Sequence, residues 1–437
     1  VEAGPLDNPL AMGEGYYEIA ASALSYPPLG SRLSSFGGTS NHWTGQGRPF
    51  SPEIFRNRPE LGIAGWPIDY ADYAAHLPEA FEWLNYRHPF DRARPTSHES
   101  GLLANVAGLD ADRFQRSEPL VRLGEPSVRD RFAAHPNIDV LTDTRVIDIS
   151  LADGGARVAS LELSDKSGVR RKLPVENVIL CCNGTEIPRL MLWAGRKLPR
   201  GNPLNGGPNE LTGRYFTEHP VLFPVELYFD QRIDLSDAHE FPGDAGAKFF
   251  IWRLSDAELE RHRLLRFGVL LLDDGLLTPL SLPDNGDGHY LAQSAGYRLT
   301  VPAFKFEQSP TLESRITLSD RLDRDGTALA NMHWVISGSD LANYRRGALH
   351  FCALLGQRGY VRARLRPDYR EDVWKHVGPE RSAHHMGATR MAHSASAGVV
   401  DTDGKVFGLD NLYVAGASIF PNGGDSVNPT LSIIALC

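Results

Sequence analysis

Between His384 and Cys437 the chain sets a histidine-led turn, HHMGATRM, ahead of a strand broken by Gly416 and an Asn428-Pro429-Thr430 helix start. Histidine is the economical base near neutral pH, because its unperturbed pKa is about 6.5. Asparagine cannot take a proton there, but its amide can donate to a developing alkoxide and orient it. A base and a hydrogen-bonding partner, joined by a strand whose glycine lets the backbone approach a ligand, suit redox chemistry on a bound cofactor. Taken alone, the same residues also read as a helix-start device at Asn428 and a satisfied histidine pair at a core edge. Neither His385 nor His393 has a Cys or carboxylate at ligand spacing, so no metal is expected on these histidines.

Several elements must position these groups. Asp69 stands where an N-cap should, with Asp72 three residues on and Tyr73, Leu77, Ala80, Phe81 and Leu84 behind it, predicting one amphipathic helix of about four turns. Residues 86–130, rich in Arg, Pro, Ser and Gly, read as loops and short pieces across a cleft. Ile138–Ile149 alternates and continues through Arg157–Leu163 as an antiparallel ladder, and Val175–Leu180 returns as a buried strand. Short strand-like runs over 221–335, such as VLFPVELYF, KFFIWRL and FGVLLL, predict a largely antiparallel sheet. A helix follows from Leu341 to about Arg358, capped by Ser339 or Asp340, and Val361–Arg366 alternates as a strand with one buried face.

With 437 residues the chain can hold two or three domains and a sizeable core. A formal charge of −9, without clustered Lys and Arg, argues against a nucleic-acid surface. No apolar run reaches the length of a membrane helix. Cys181, Cys182, Cys352 and Cys437 show neither ligand nor disulfide spacing and read as buried small hydrophobes.

Six separated blocks resemble the glucose-methanol-choline (GMC) family of flavin oxidoreductases. The tail carries His-x-x-Gly-x-x-Arg-Met from His384, then Gly398-Val399-Val400-Asp401, Asn411 to Gly416, and Asn428-Pro429-Thr430. Phe36 to Trp43 looks like the glycine-rich flavin loop of the bacterial sugar- and alcohol-oxidising branch, which includes pyranose-oxidising enzymes and sugar dehydrogenases, and Gly65-Trp66-Pro67-Ile68 like the start of its following helix. Val178–Leu192, Gly213-Arg214-Tyr215-Phe216 with His219-Pro220, and Glu307-Gln308 with Ser314 to Leu318 follow in family order. Cys182-Asn183-Gly184 departs from the usual Ala-Gly, and Gly387-Ala388-Thr389-Arg390-Met391 from Gly-Thr-x-Arg-Met; neither touches His384.

The resemblance implies an α/β fold, α+β overall. A discontinuous Rossmann-like FAD-binding domain would occupy 1–50, 131–220 and 380–437, a lid and substrate-side insertion 51–130, and a substrate domain on a largely antiparallel sheet 221–379. It implies oxidation of a CH–OH group of a sugar, polyol or other alcohol, with His384 as base and Asn428 as partner. The acceptor would be oxygen, a quinone or an electron-accepting protein such as a cytochrome. Cofactor contacts are expected from Glu2 at the adenosine ribose, and from Gly37, Gly38, Ser40, Asn41 and His42 in the flavin loop. Val146 is expected on the adenine side, with Gly184, Gly416, Ala417, Pro429 and Thr430 along the rest of the cofactor; simple helix capping is the other reading of Thr430. His42 is either joined covalently to the flavin or in plain contact with it, and Arg390 either anchors its turn or meets a phosphate.

Both ends read as cut. The family's first block, about thirty residues with a Gly-x-Gly-x-x-Gly turn, is expected before Val1, and any export leader with it. Lacking that turn, the fragment is expected to bind FAD weakly; a non-catalytic fragment is the remaining alternative.

Overall fold

Val178–Leu180 and Leu412–Val414 form a parallel pair, with Val178 opposite Leu412, in the computed structural model, which describes residues 1–7, 19–22, 32–86, 106–230, 249–271, 297–357, 359, 361–366, 369 and 383–437. Two strands so distant in sequence can lie parallel only because a long crossover separates them. After the first strand, the Asn183-Gly184 turn opens the helix Glu186–Gly195. Thr144–Leu151, Val158–Asp165 and Arg170–Pro174 form an antiparallel three-stranded ladder. The expected ladder is present, but it begins at Thr144 rather than Ile138.

A buried charge network locks the helix to its neighbours. Glu186 pairs with Arg32 at 2.8 Å and Arg189 at 2.7 Å, while Arg145 reaches Asp323 at 2.6 Å and Asp325 at 3.2 Å. Asp323 lies just beyond Arg315–Leu322, which pairs antiparallel with Ala328–His333, itself parallel to Ile19–Ser22. Charges this buried are tolerable only when paired and hydrogen-bonded, so the network fixes register as well as position.

The central sheet runs in the order Gln46–Gly47, Leu109–Arg116, Phe249–Leu254, Phe267–Leu270, Ala303–Phe306, Val221–Leu222, every neighbouring pair antiparallel. The antiparallel sheet expected over 221–335 is therefore present, but it also takes a strand from the 86–130 stretch read as loops. Leu109–Arg116 holds that place because Leu109 and Phe114 are buried against it. The sheet thus draws strands from both sides of the boundaries drawn at 50, 130 and 220. Residues 87–105 lie outside the described part.

Helix Gly338–Gly356 covers the sheet: Tyr344 stacks on Phe306 at 4.3 Å, and Gly347 leaves room for the Phe267 ring, which a Cβ would meet at 2.8 Å. Its cap is Ser337, whose hydroxyl accepts from Asp340 N–H at 3.0 Å, ahead of the expected residues. The four-turn helix expected after Asp69 is two helices, Tyr70–Ala75 and Leu77–Trp83, although Asp69 and Asp72 do form the capping box. Pro78 lacks an N–H and its ring cannot follow a continuous helix, so the chain restarts there. Val361–Leu365 is the edge strand of a sheet with Val225–Asp230 and Tyr297–Thr300; Arg362 and Ala363 are both exposed, so strict alternation fails at that edge. Cys181, Cys182 and Cys437 are exposed and only Cys352 is buried, which corrects the reading of all four as core residues.

Candidate active site

Thr217 and Met386 exchange two backbone hydrogen bonds at 3.0 Å, so the chain segments run antiparallel and a two-residue step places His219 beside His384. Gly387, at φ 83°, makes the approach possible, since a Cβ there would lie 2.3 Å from the Tyr215 carbonyl oxygen. The Nδ1 atoms of His384 and His219 are 2.9 Å apart, with the rings nearly perpendicular. His219 Nε2 bonds to the carbonyl oxygen of Gly423.

Glu218 clamps this arrangement: its carboxylate accepts from the backbone N–H of His384 at 3.0 Å and of His219 at 3.2 Å, and lies 3.4 Å from His385 Nε2. His385 Nδ1 meets Asn183 Oδ1 at 3.3 Å. His385 is thus the satisfied core-edge histidine, while His384 remains half-buried. Burial, then the Lys305 charge, His219 and His385 hold the His384 pKa well below its ordinary value. Burial and the Lys305 charge push His219 down to about 3, and burial with the Arg32 charge does the same for His385.

Lys305 links this pair to Asn428. It lies on the buried strand Ala303–Phe306, and its Nζ donates to Asn428 Oδ1 at 3.1 Å. Asn428 Nδ2 in turn donates to the Gln46 carbonyl at 2.9 Å, which leaves its second N–H unused by that bond. Burial lowers the Lys305 pKa to about 7, with Glu218 opposing and Arg48 reinforcing the shift. His384 and Asn428 therefore belong to one cluster, with the lysine between them.

The segment before Asn428 is held by Asp425, which pairs with Arg48 at 2.6 Å, accepts from Ser51 and lies 3.6 Å from Arg266. Burial raises the Asp425 pKa, but Arg48, Arg266 and Arg253 outweigh it and keep the carboxyl well below the usual range. Asn422 donates to the carbonyls of Ile54 and Ala64 and accepts from Trp66 Nε1, pinning Gly423 under His219.

The residues expected at a cofactor divide into two groups. Glu2 and Gly37 line a cavity of about 1220 Å³, with Phe36, Leu123 and Ile433 to Cys437 among its walls. Neither His384 nor Asn428 lines that cavity. The Glu2 carboxylate accepts from Gly4 N–H at 2.8 Å, and burial raises its pKa. At Gly38 (φ 52°) an added Cβ would meet nothing within 4 Å, and at Gly416 (φ 134°) only Ile187 at 4.0 Å. These are bare backbone positions beside open space, as a cradle for a bound group requires.

The second group does something else. A Cβ on Gly37 would strike Gly124 N at 2.3 Å, and one on Gly184 would strike the His385 carbonyl oxygen at 2.4 Å. Their missing side chains admit neighbouring chain, and Gly37 also lines the cavity. Ser40 donates to Gly37 O and accepts from Leu123 N–H; Asn41 donates to Ser35 and Phe36 and accepts from Gly124 N–H. Both hold the 36–42 loop against 121–124. His42 is exposed, and Val146 is half-buried opposite Leu163. Ala417 opens the short turn Ala417–Ile419; Pro429 is the N-cap of Thr430–Leu436, so Thr430 is the first helical residue and not the cap. The Arg390 guanidinium lies 4.3 Å over the Tyr215 ring.

Lys305, Glu218 and the Arg48–Asp425 pair carry no role in the sequence reading, and His219 entered it only as part of a matching block. The available signal was a single lysine in an otherwise apolar strand, AFKF, ahead of Glu307.

The chain thus combines an α/β fold with antiparallel sheets and a histidine pair wired to backbone. Residues 310–437 match the family model described as GMC oxidoreductase. The 6'''-hydroxyparomomycin C oxidase of Streptomyces lividus is 24% identical over 309 residues, covering 69% of this chain and 51% of that protein. The chain thus spans about half the length of this curated relative. Among solved structures, formate oxidase superposes with a TM-score of 0.59 at 16% identity, and pyridoxine 4-oxidase from Mesorbium loti with 0.55 at 18%; each comparison covers 100% of this chain and 91% of the other. These likenesses show the shared fold. Over residues 310–437 the chain is thus similar to the GMC oxidoreductases.

Proposed function

We propose that this chain carries the FAD-dependent oxidation of a CH–OH group of a sugar, polyol or other alcohol to a carbonyl. The observation that carries the proposal is the wiring of His384. A carbonyl only accepts, so His219 must place its proton on Nε2, toward Gly423 O. Neutral His219, with its pKa near 3, then has a lone pair on Nδ1, and His384 must donate to it from its own Nδ1. One proton is thereby fixed on His384 Nδ1, and Nε2 is left as an acceptor. A depressed pKa keeps that nitrogen unprotonated in the resting protein.

In this reading the substrate hydroxyl gives its proton to His384 Nε2. The second N–H of Asn428 donates to the same oxygen as its charge grows, and Lys305 holds the carboxamide in that orientation. FAD, when bound, supplies the acceptor for the hydride from the carbinol carbon. Glu2 would hold the adenosine ribose and the backbone at Gly38, Gly416 and Ala417 the rest of the group. A covalent tie through His42 is a separate part of the proposal, and acid-precipitated holoprotein should then retain its yellow colour.

The test is anaerobic mixing of the FAD-loaded protein with a panel of sugars and polyols, followed by reoxidation with oxygen or an artificial acceptor. Bleaching of the flavin absorbance by at least one alcohol, with carbonyl product formed in equal amount, is the expected result. FAD that stays bound and oxidised against the whole panel would refute it.

A further inference from the structure

Outside the His384 pocket, Glu258, His262 and His350 bring three donor atoms within 4.8 Å of one another. Glu258 and His262 lie four residues apart on the helix Asp256–His262, so they share one face, and His350 projects from helix Gly338–Gly356 opposite. Both imidazoles turn Nε2 toward the same carboxylate oxygen: Glu258 Oε2 is 2.6 Å from His350 and 3.3 Å from His262, with the ring centres 4.1 Å apart. The Glu258 stem is held against Gly108, where a Cβ would fall 3.1 Å from its Cγ.

Two imidazole nitrogens and one carboxylate oxygen form a donor set suited to Zn²⁺, with water in the fourth position. Tetrahedral coordination at about 2.0–2.2 Å sets donor atoms roughly 3.4 Å apart. The two carboxylate–imidazole separations, 2.6 and 3.3 Å, lie at or below that value, so small rotations of side chains already in place would complete the site. Without a metal, both Nε2 atoms must carry protons to satisfy one oxygen; a divalent cation replaces both protons and binds all three groups at once.

We propose that Glu258, His262 and His350 form a Zn²⁺ site that clasps the helix Asp256–His262 to the helix Gly338–Gly356. The clasp lies beside Gly108, just ahead of the strand Leu109–Arg116. Its role is to hold this helix pair together, and it takes no part in the chemistry at His384.

Tag-free, chelator-stripped protein would be titrated with ZnCl₂ by calorimetry and melted with and without the metal. The expected result is one Zn²⁺ per chain, a higher Tm with zinc, and affinity at least about tenfold weaker in both His262→Ala and His350→Ala. His384→Ala should bind zinc as the parent does, which separates this site from the catalytic histidines. Failure of zinc to raise the Tm, or binding that survives unchanged in both ligand variants, would overturn the proposal.

Discussion

Lys305 is the residue whose role was least legible. In Ala303-Phe304-Lys305-Phe306 strand alternation assigns the phenylalanines to one face and the lysine to the other, which normally faces water. Here both faces are covered, so the ammonium is buried against Asn428 instead. His384 and Asn428, by contrast, were legible because they sit inside recognisable motifs. The Lys305 charge depresses the His384 pKa, so Lys305→Met should move the acid limb of the pH profile for flavin reduction to higher pH. An unmoved limb would separate the lysine from the base. Asn428→Ala should slow flavin reduction about a hundredfold or more, as loss of one oxyanion donor does. An unchanged rate would leave Asn428 as a helix-start residue.

At the scale of elements, the sequence marked strands and helices well where one period dominated, as in Thr144–Leu151, Val158–Asp165 and Gly338–Gly356. It misjudged those decided by a single residue or by distant packing. Pro78 split one helix into two, and Leu109–Arg116, in a stretch rich in loop-forming residues, became a strand through pairing with Phe249–Leu254. Gly184 was legible as a close approach but not for its neighbour, since only the fold shows that His385 passes there. Gly387 gives the element-scale prediction. Its positive φ resists a side chain, and so does the Tyr215 carbonyl oxygen, 2.3 Å from where a methyl group would sit. Gly387→Ala should therefore cost about 1–3 kcal/mol. Chemical denaturation would read this as a lowered midpoint; an unchanged midpoint would mean that the two strands need not approach so closely.

For the whole molecule, buried ionisable groups set how stability depends on pH. His219 and His385 have pKa values near 3 in the folded protein, against the ordinary 6.5. The unfolded chain therefore binds more protons between those values, and stability falls as pH drops from 6.5 toward 3. The first part of that loss, from 6.5 down to about 5, lies above the range where ordinary carboxylates titrate. Denaturant midpoints should decline there in the parent and less steeply in His385→Gln; equal slopes would contradict the assignment. The antiparallel sheet over 221–335 was legible from its short apolar runs. The buried networks of Arg48 with Asp425 and Arg145 with Asp323 were not, because charged residues far apart in sequence give no local sign that folding will pair them.

Everything proposed for this chain's function depends on His384 Nε2 accepting the hydroxyl proton. The decisive experiment is anaerobic stopped-flow measurement of flavin reduction by an alcohol substrate in the FAD-loaded parent and in His384→Ala. The variant should bind FAD and be reduced about 10²–10⁴-fold more slowly, the range for a positioned general base. Flavin reduction at close to the parent rate, with FAD still bound, would remove His384 from the chemistry.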